Sequence, residues 1–124
     1  MDRDFLVYIS ALFDNCGYLT LKKDKRTGSI YPYIKIKIKS RDILLKAKDI
    51  FGGSITKNGL ILTHRKAKHF LDIILNYSSF HKDKIQLINK LYETKFSGKF
   101  EKERKEKIYR EFKELERDGR TKRV

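Results

Sequence analysis

The chain has 124 residues, which is enough for one domain built around one core. Its single cysteine excludes an internal disulfide, and its three histidines are too scattered for a zinc site. No apolar run is long enough to span a membrane and no signal-peptide pattern is present, so we expect a cytoplasmic protein with no membrane partner. The formal net charge of +14 favours a polyanionic partner, most often nucleic acid, over a surface that is lysine-rich for solubility alone.

The first predicted element is a helix that begins at Asp2 or Asp4 and ends near Cys16. Aspartates suit a helix start because the helix dipole is positive there. A helix with so wide an apolar arc is buried on more than one side. Its apolar stripes are Leu6, Ile9 and Phe13, and Phe5 and Leu12. The small residues Ser10 and Ala11 allow a second helix to approach closely, so one side can meet another copy of the chain.

Two strands joined by a turn are predicted next, over residues 18–25 and 31–39, because apolar and polar residues alternate along both. Their outward face is basic and aromatic. A solvated strand face is the competing interpretation, but lysines in a row repel one another and a phosphate backbone relieves that repulsion. The turn contains Arg26. The outward residues are Tyr18, Thr20, Lys22, Asp24, Tyr33, Lys35, Lys37 and Lys39.

The middle of the chain is predicted to continue with helices and short strands. Ser40 suits a helix N-cap, Gly52 and Gly53 suit a helix end, and the pair Asn58 and Gly59 suits a tight hairpin turn. The predicted elements are a helix over residues 41–51, strands over 54–57 and 60–63, and helices over 65–76 and 82–94. The order is therefore αββαββα followed by a further helix.

Residues 97–124 have a different composition and are dense in charges of both signs. Glutamates and basic residues are spaced so that they can pair along a helix over residues 100–117. The apolar stripe of this helix is narrow, and Gly119 is expected to end it. The stripe consists of Ile108, Phe112 and Leu115. The helix either packs back on the domain or lies along phosphates, and the sequence does not decide between the two.

Residues 8–17, which are YISALFDNCG, resemble the signature of the LAGLIDADG homing-endonuclease family. The aliphatic positions, the small pair, the first acid, Asp14, and the final Gly17 match that motif. Asn15 stands where the family usually has glycine or alanine, and Cys16 stands where it usually has its metal-binding acid. The resemblance covers roughly residues 5–96. We therefore expect a LAGLIDADG-like domain over residues 1–96 and a charged helix with a basic end over residues 97–124.

The resemblance implies an α+β fold of order αββαββα, with a saddle-shaped antiparallel sheet, to which the C-terminal helix is added. In that family the concave face of the sheet lies in the DNA major groove, so the outward strand residues would contact bases and phosphates. A two-stranded ribbon fits that groove sterically, which indicates the same surface from the residues themselves. The expected DNA-binding residues are Tyr18, Thr20, Lys22, Asp24, Arg26, Tyr33, Lys35, Lys37, Lys39 and, near the scissile phosphates, Lys82.

The chain has one copy of a motif that the family uses in pairs. The resemblance therefore implies a homodimer with twofold symmetry through the first helix. Its duplex DNA site would then be nearly palindromic, with two half-sites. The expected interface residues are Leu6, Ile9, Ser10, Ala11, Phe13 and Asn15.

Whether the chain is an enzyme depends on Cys16, because in the family the acid at this position binds a divalent metal that activates water. Magnesium prefers hard oxygen ligands, and a thiol is a soft ligand. Asp14 lies two residues away, which turns its side chain by roughly 200° on a helix. We therefore expect no metal site, no cofactor and a degenerate cleavage centre in a protein that binds duplex DNA.

Two alternatives stay open. The first is an active homing endonuclease that cleaves a near-palindromic DNA site with magnesium, with Asp14 as its catalytic acid. The second is an RNA-binding splicing helper, since maturases share this fold. The sequence does not decide the target, the choice between DNA and RNA, any residual cleavage, or the role of the last helix.

Overall fold

The computed structural model describes the backbone of residues 2–77, 82–93 and 99–122, and their side chains apart from those of residues 99 and 118–122. In order, the elements are α1 (Arg3–Cys16), β1 (Gly17–Lys23), β2 (Ile30–Lys37), α2 (Arg41–Phe51), β3 (Ser54–Thr56), β4 (Gly59–Thr63), α3 (His64–Ile74), α4 (Lys82–Leu91) and α5 (Lys99–Lys122). This confirms the predicted α+β order. The division of the chain between residues 96 and 97 lies outside the described residues and stays a prediction.

Helix α1 begins at a side-chain cap and passes directly into β1. The carboxylate of Asp2 accepts a hydrogen bond from the backbone N–H of Asp4 at 3.0 Å, which holds the pKa of that carboxyl below its ordinary value. At the other end of the helix, β1 follows Cys16 without a loop. A Cβ at Gly17 would lie 2.4 Å from the carbonyl oxygen of Phe13, so this junction requires a glycine unless the backbone shifts.

The four strands form one antiparallel sheet in the order β1-β2-β4-β3, so β1 and β3 are its edges. Because side chains alternate along a strand, the register defines two faces. One of them is the core face, and its apolar residues are almost completely buried. They are Leu19, Leu21, Ile34, Ile36, Leu60 and Leu62.

Helices α1, α2 and α3 cover the core face of the sheet. Each contributes a phenylalanine to one aromatic cluster. Phe70 of α3 meets Phe13 of α1 and Phe51 of α2 edge to face, with ring centroids 5.4 and 4.8 Å apart. Helix α2 has the predicted bounds, and its predicted cap is confirmed, since the Ser40 hydroxyl accepts a hydrogen bond from the N–H of Ile43 at 3.4 Å.

Helix α5 packs back on the domain, which decides between the two arrangements that the sequence left open. It lies against α4 and along the edge strand β1. Ile108 and Phe112 are buried in the core. Arg104 joins α5 to the end of α4 by donating hydrogen bonds to the carbonyl oxygens of Lys90 and Glu93. A helix along an edge strand also covers a row of backbone groups that would otherwise pair with other chains.

The helices differ from the predicted ones at their ends, and none is a membrane span. Helix α3 ends at Ile74 and α4 at Leu91, which is earlier than predicted. Gly119 does not end α5, because the helix continues to Lys122. A glycine inside a helix costs about 1 kcal/mol relative to alanine, which weakens the helix without stopping it. Within the described ranges, no helix is both long and apolar enough to cross a bilayer.

Candidate nucleic-acid interface

The sheet face opposite the helices is lined by basic, aromatic and small polar side chains, and we call it the lysine–tyrosine face. Directly paired residues point to the same side of a sheet, so the register arranges this face in rows. The rows are Lys22 and Tyr31; Thr20, Tyr33 and Thr63; Tyr18, Lys35, Ile61 and Ser54; and Lys37, Gly59 and Thr56. The structure thus brings six of the residues predicted to bind DNA to one face: Tyr18, Thr20, Lys22, Tyr33, Lys35 and Lys37.

Aromatic and basic side chains of this face contact one another around Tyr33 of the central strand β2. The ammonium of Lys22 lies 3.9 Å from the centroid of the Tyr33 ring, which is a cation–π distance. Tyr18 is 48% exposed and meets the same ring edge to face at 6.4 Å. Lys35 is half-buried and Lys37 is exposed. The face therefore presents two tyrosine rings in contact, with the ammonium group of Lys22 over one of them.

The strands give this face a positive potential because none of the four contains an aspartate or glutamate. Within the described part of the chain, Lys35 and Lys37 form no ion pair. Alternate residues of a strand have Cα atoms roughly 6.6 Å apart and side chains on the same side. The two lysines therefore place like charges on one face, and a bound polyanion would relieve their repulsion.

Thr20 differs from the other residues of the face because α5 covers it. It is only 2% exposed. Its hydroxyl donates a hydrogen bond to the carboxylate of Glu116 and accepts one from the ammonium of Lys113 at 3.0 Å. The C-terminal half of α5 therefore borders the lysine–tyrosine face along its β1 edge. In this arrangement the Thr20 hydroxyl is already engaged, so it is not available to a base or a phosphate.

The other residues predicted to bind DNA lie outside these rows. Asp24 and Arg26 belong to the β1–β2 turn, where the Asp24 carboxylate accepts a hydrogen bond from the backbone N–H of Arg26 at 2.8 Å. This contact is typical of a turn-forming aspartate. Lys39 follows β2 and is exposed. Lys82 is exposed at the start of α4, which packs against α3 and α5, so the structure does not bring it into the rows of the face.

The end of α1 contains Asp14 and Cys16, the two residues whose motif positions the family resemblance associates with metal binding and cleavage. Cys16 is exposed and is the last residue of the helix. Asp14 is half-buried and already interacts within the chain. Among the described residues, no group of three His, Cys, Asp or Glu side chains is arranged to hold a metal. A thiol is a soft ligand and does not fit magnesium, which requires several oxygen ligands.

The exposed side of α1 shares two residues with the predicted dimer interface, Ala11 and Asn15. The other four are buried in the chain's own core: Leu6, Ile9, Ser10 and Phe13. Val7 and Tyr8, which are 47% and 46% exposed, also lie on the exposed side of α1. The sequence analysis missed these two residues. Helical spacing was the signal that could have found them, because residues 7, 11 and 15 lie on one side of a helix.

Comparison with known proteins bears on the fold. No protein-family model matches the chain, and no curated protein sequence matches it. Among solved structures, the chain is similar to the homing endonuclease I-CvuI in complex with the I-CreI target and 2 mM Mg, a crystal structure in which the DNA is not cleaved. The TM-score is 0.57 and the identity 14%, over 69% of this chain and 64% of that chain, so this chain spans less than two thirds of its neighbour's length. The similarity shows a LAGLIDADG homing-endonuclease-like fold, as predicted.

Proposed function

We propose that this chain forms a homodimer that binds duplex DNA through the lysine–tyrosine face and lacks a working cleavage centre. The main support for the proposal is the composition of this face. Its strands contain no acid, and they present ammonium groups and aromatic rings on one side of the sheet. The fold supports the proposal, because the solved neighbour with this fold is a homing endonuclease in complex with DNA.

The lysines of β2 lie on one side of the strand, where both can contact a phosphate backbone. Lys35 and Lys37 are alternate residues, so their side chains point to the same face of the sheet. A duplex that lies along β2 would therefore present its phosphates to both ammonium groups. Phosphate contacts of this kind fix position without reading sequence. Tyr18 and Tyr33 would supply apolar contacts and hydroxyl groups to base edges in the major groove.

The proposed homodimer forms through the exposed side of α1. Val7, Ala11 and Asn15 follow one another at intervals of one helical turn, so a second copy of α1 can pack along them. The exposed Val7 side chain would lose its contact with water in that interface. A twofold axis beside α1 places two lysine–tyrosine faces in one assembly, and such an assembly binds a nearly palindromic site.

Selection from a randomised duplex pool without metal, followed by sequencing, tests the binding function. We expect a twofold-symmetric motif about two helical turns long. Tighter binding to a structured RNA than to any duplex would contradict the DNA function and favour an RNA-binding splicing role. Salt-sensitive binding with no enriched motif would contradict sequence-specific recognition.

The role of the face is tested by the double variant Lys35→Gln, Lys37→Gln. Its affinity for the selected duplex should fall, and the slope of log K against log salt should decrease by about 2 for each protomer. The matched control is Lys90→Gln, Lys107→Gln, which removes the same charge from exposed helix positions. Fluorescence anisotropy at several salt concentrations measures both slopes. Equal slopes for the two double variants would refute the lysine–tyrosine face as the binding surface.

The degenerate cleavage centre is tested by restoring a carboxylate. Cys16→Asp should produce magnesium-dependent cleavage of the selected duplex, resolved on a denaturing gel, while the parent binds the same duplex without cutting it. Cleavage by the parent that Asp14→Asn abolishes would instead establish an active endonuclease. If neither parent nor Cys16→Asp cleaves, the centre lacks more than this one ligand.

A further inference from the structure

An open cleft of about 1000 Å³ lies next to the lysine–tyrosine face, and we call it the α3 cleft. It is formed where the start of β2, the end of β4 and the start of α3 meet the end of α4 and one residue of α5. Its charged residues are four cations and one acid: Arg65, Lys66, Lys68, Lys105 and Asp72. None of these residues belongs to the DNA-binding set that the sequence predicted.

The excess of positive charge in the α3 cleft is poorly neutralised. Its carboxylate, Asp72, is already paired with Lys68 at 2.5 Å, and the first turn of α3 contains no acid. Lys105 forms a long ion pair with Glu101, at 3.9 Å. Burial raises the pKa of the Tyr92 phenol in the same lining, so this group brings no negative charge at neutral pH.

Arg65 and Lys66 are the cations that this cleft offers to a ligand. Both are exposed, and neither forms an ion pair in the ranges that the structure describes. They are adjacent in sequence and line one open volume. A guanidinium pairs with two oxygens of a phosphate in a fixed geometry, and a lysine ammonium adds a mobile point charge. The cleft therefore has the chemistry of a phosphate site.

A pair of stacked rings connects the α3 cleft to the lysine–tyrosine face. Tyr31 shares its row with Lys22 on that face. It stacks on His64, with ring centroids 4.2 Å apart and planes 10° apart. His64 directly precedes Arg65 at the start of α3. A phosphate chain that leaves the face past Tyr31 would thus meet Arg65 and Lys66 next.

We propose that the α3 cleft binds backbone phosphates of the duplex that flank the part covered by the lysine–tyrosine face. This inference rests on the proposed function and extends it, because it adds a second contact zone with Arg65 and Lys66 as the phosphate-binding residues. It also predicts that the duplex must be longer than the enriched motif for full affinity. A free phosphate compound can bind the same two cations, and the experiment below distinguishes it from the phosphates of a duplex.

The test compares the parent with the double variant Arg65→Gln, Lys66→Gln on two duplexes. One duplex is trimmed to the enriched motif, and the other has about half a helical turn, roughly 5 base pairs, added on each side. We expect the variant to match the parent on the trimmed duplex. On the extended duplex its salt slope should be smaller by about 2 for each protomer. The control variant Lys90→Gln, Lys107→Gln keeps Arg65 and Lys66, so it should show the same dependence on duplex length as the parent. A urea midpoint equal to that of the parent shows that each variant is folded.

The possible outcomes separate this inference from the proposed function. If Lys35→Gln, Lys37→Gln weakens binding to both duplexes but Arg65→Gln, Lys66→Gln weakens neither, the face is the binding surface and the cleft inference is overturned. If the parent binds neither duplex, the proposed function is overturned and the duplex assignment of the cleft with it. Backbone amide shifts at residues 64–68 on titration with inorganic phosphate, without any effect of the variant on duplex binding, would assign the cleft to a free phosphate compound instead.

Discussion

The packing of α5 can be tested by removing the ring of Phe112. This side chain has no exposed surface and belongs to the same core cluster as residues of the sheet and of α1. Replacing a buried phenylalanine by alanine costs about 3–5 kcal/mol, from the lost burial and the cavity that stays behind. Domains of this size are stable by about 5–15 kcal/mol. Phe112→Ala should therefore remove a large fraction of the free energy of unfolding.

Phe100→Ala is the matched control, because Phe100 lies on the same helix and is 73% exposed. Its effect should stay within about 0.5 kcal/mol. Urea unfolding followed by far-ultraviolet circular dichroism gives both free energies, and the slopes show whether the unfolded states are comparable. If Phe112→Ala shifts the midpoint no more than Phe100→Ala does, then α5 is not part of the folded core. The covering of Thr20 by the end of α5 would then be refuted as well.

Two further predictions concern the motif that ends at Gly17. Gly17→Ala should destabilise the chain by roughly 1–3 kcal/mol, because the new methyl group would lie 2.4 Å from the Phe13 carbonyl oxygen; an unchanged urea midpoint would contradict the tight junction. Cys16 is the sole cysteine of the chain and is exposed at the end of α1. A short bismaleimide should therefore link two chains across the proposed twofold axis, with Cys16→Ser as the control. If sedimentation shows a dimer but no linked band forms on a denaturing gel, the axis does not pass beside the end of α1.

Much of the fold could be predicted from the sequence because its signals are local. The Ser40 hydroxyl caps α2, and Gly52 ends that helix with a φ of 78°, a conformation that favours glycine. The alternating isoleucines of β2 face the core because a strand has a period of two. Each of these features depends on residues close together in the chain, so the pattern alone is sufficient to place the element.

The candidate site was predicted less completely because its limits depend on contacts between distant residues. Alternation along β1 predicts where Thr20 points, but it does not predict that Glu116, 96 residues away, accepts its hydrogen bond. Helix α1 has two apolar stripes, and the sequence does not show that the chain's own core takes residues from both of them. The structure buries Phe5 of one stripe as well as Ile9 and Phe13 of the other. The surface that is left for a partner therefore differs from the predicted one.

Neighbouring lysines of β1 show why a net charge of +14 does not by itself locate a binding surface. Lys23 forms a salt bridge of 2.8 Å with Glu106 of α5, whereas Lys22 lies over the ring of Tyr33 on the opposite side of the strand. Glu106 of α5 therefore neutralises a lysine at the β1 edge, whereas the lysines of the lysine–tyrosine face form no ion pair with any carboxylate that the structure describes. A polyanion would be attracted to the face and would meet glutamates at its border. The alternation of residues along the strands, combined with the position of α5, thus identifies the proposed site where total charge cannot.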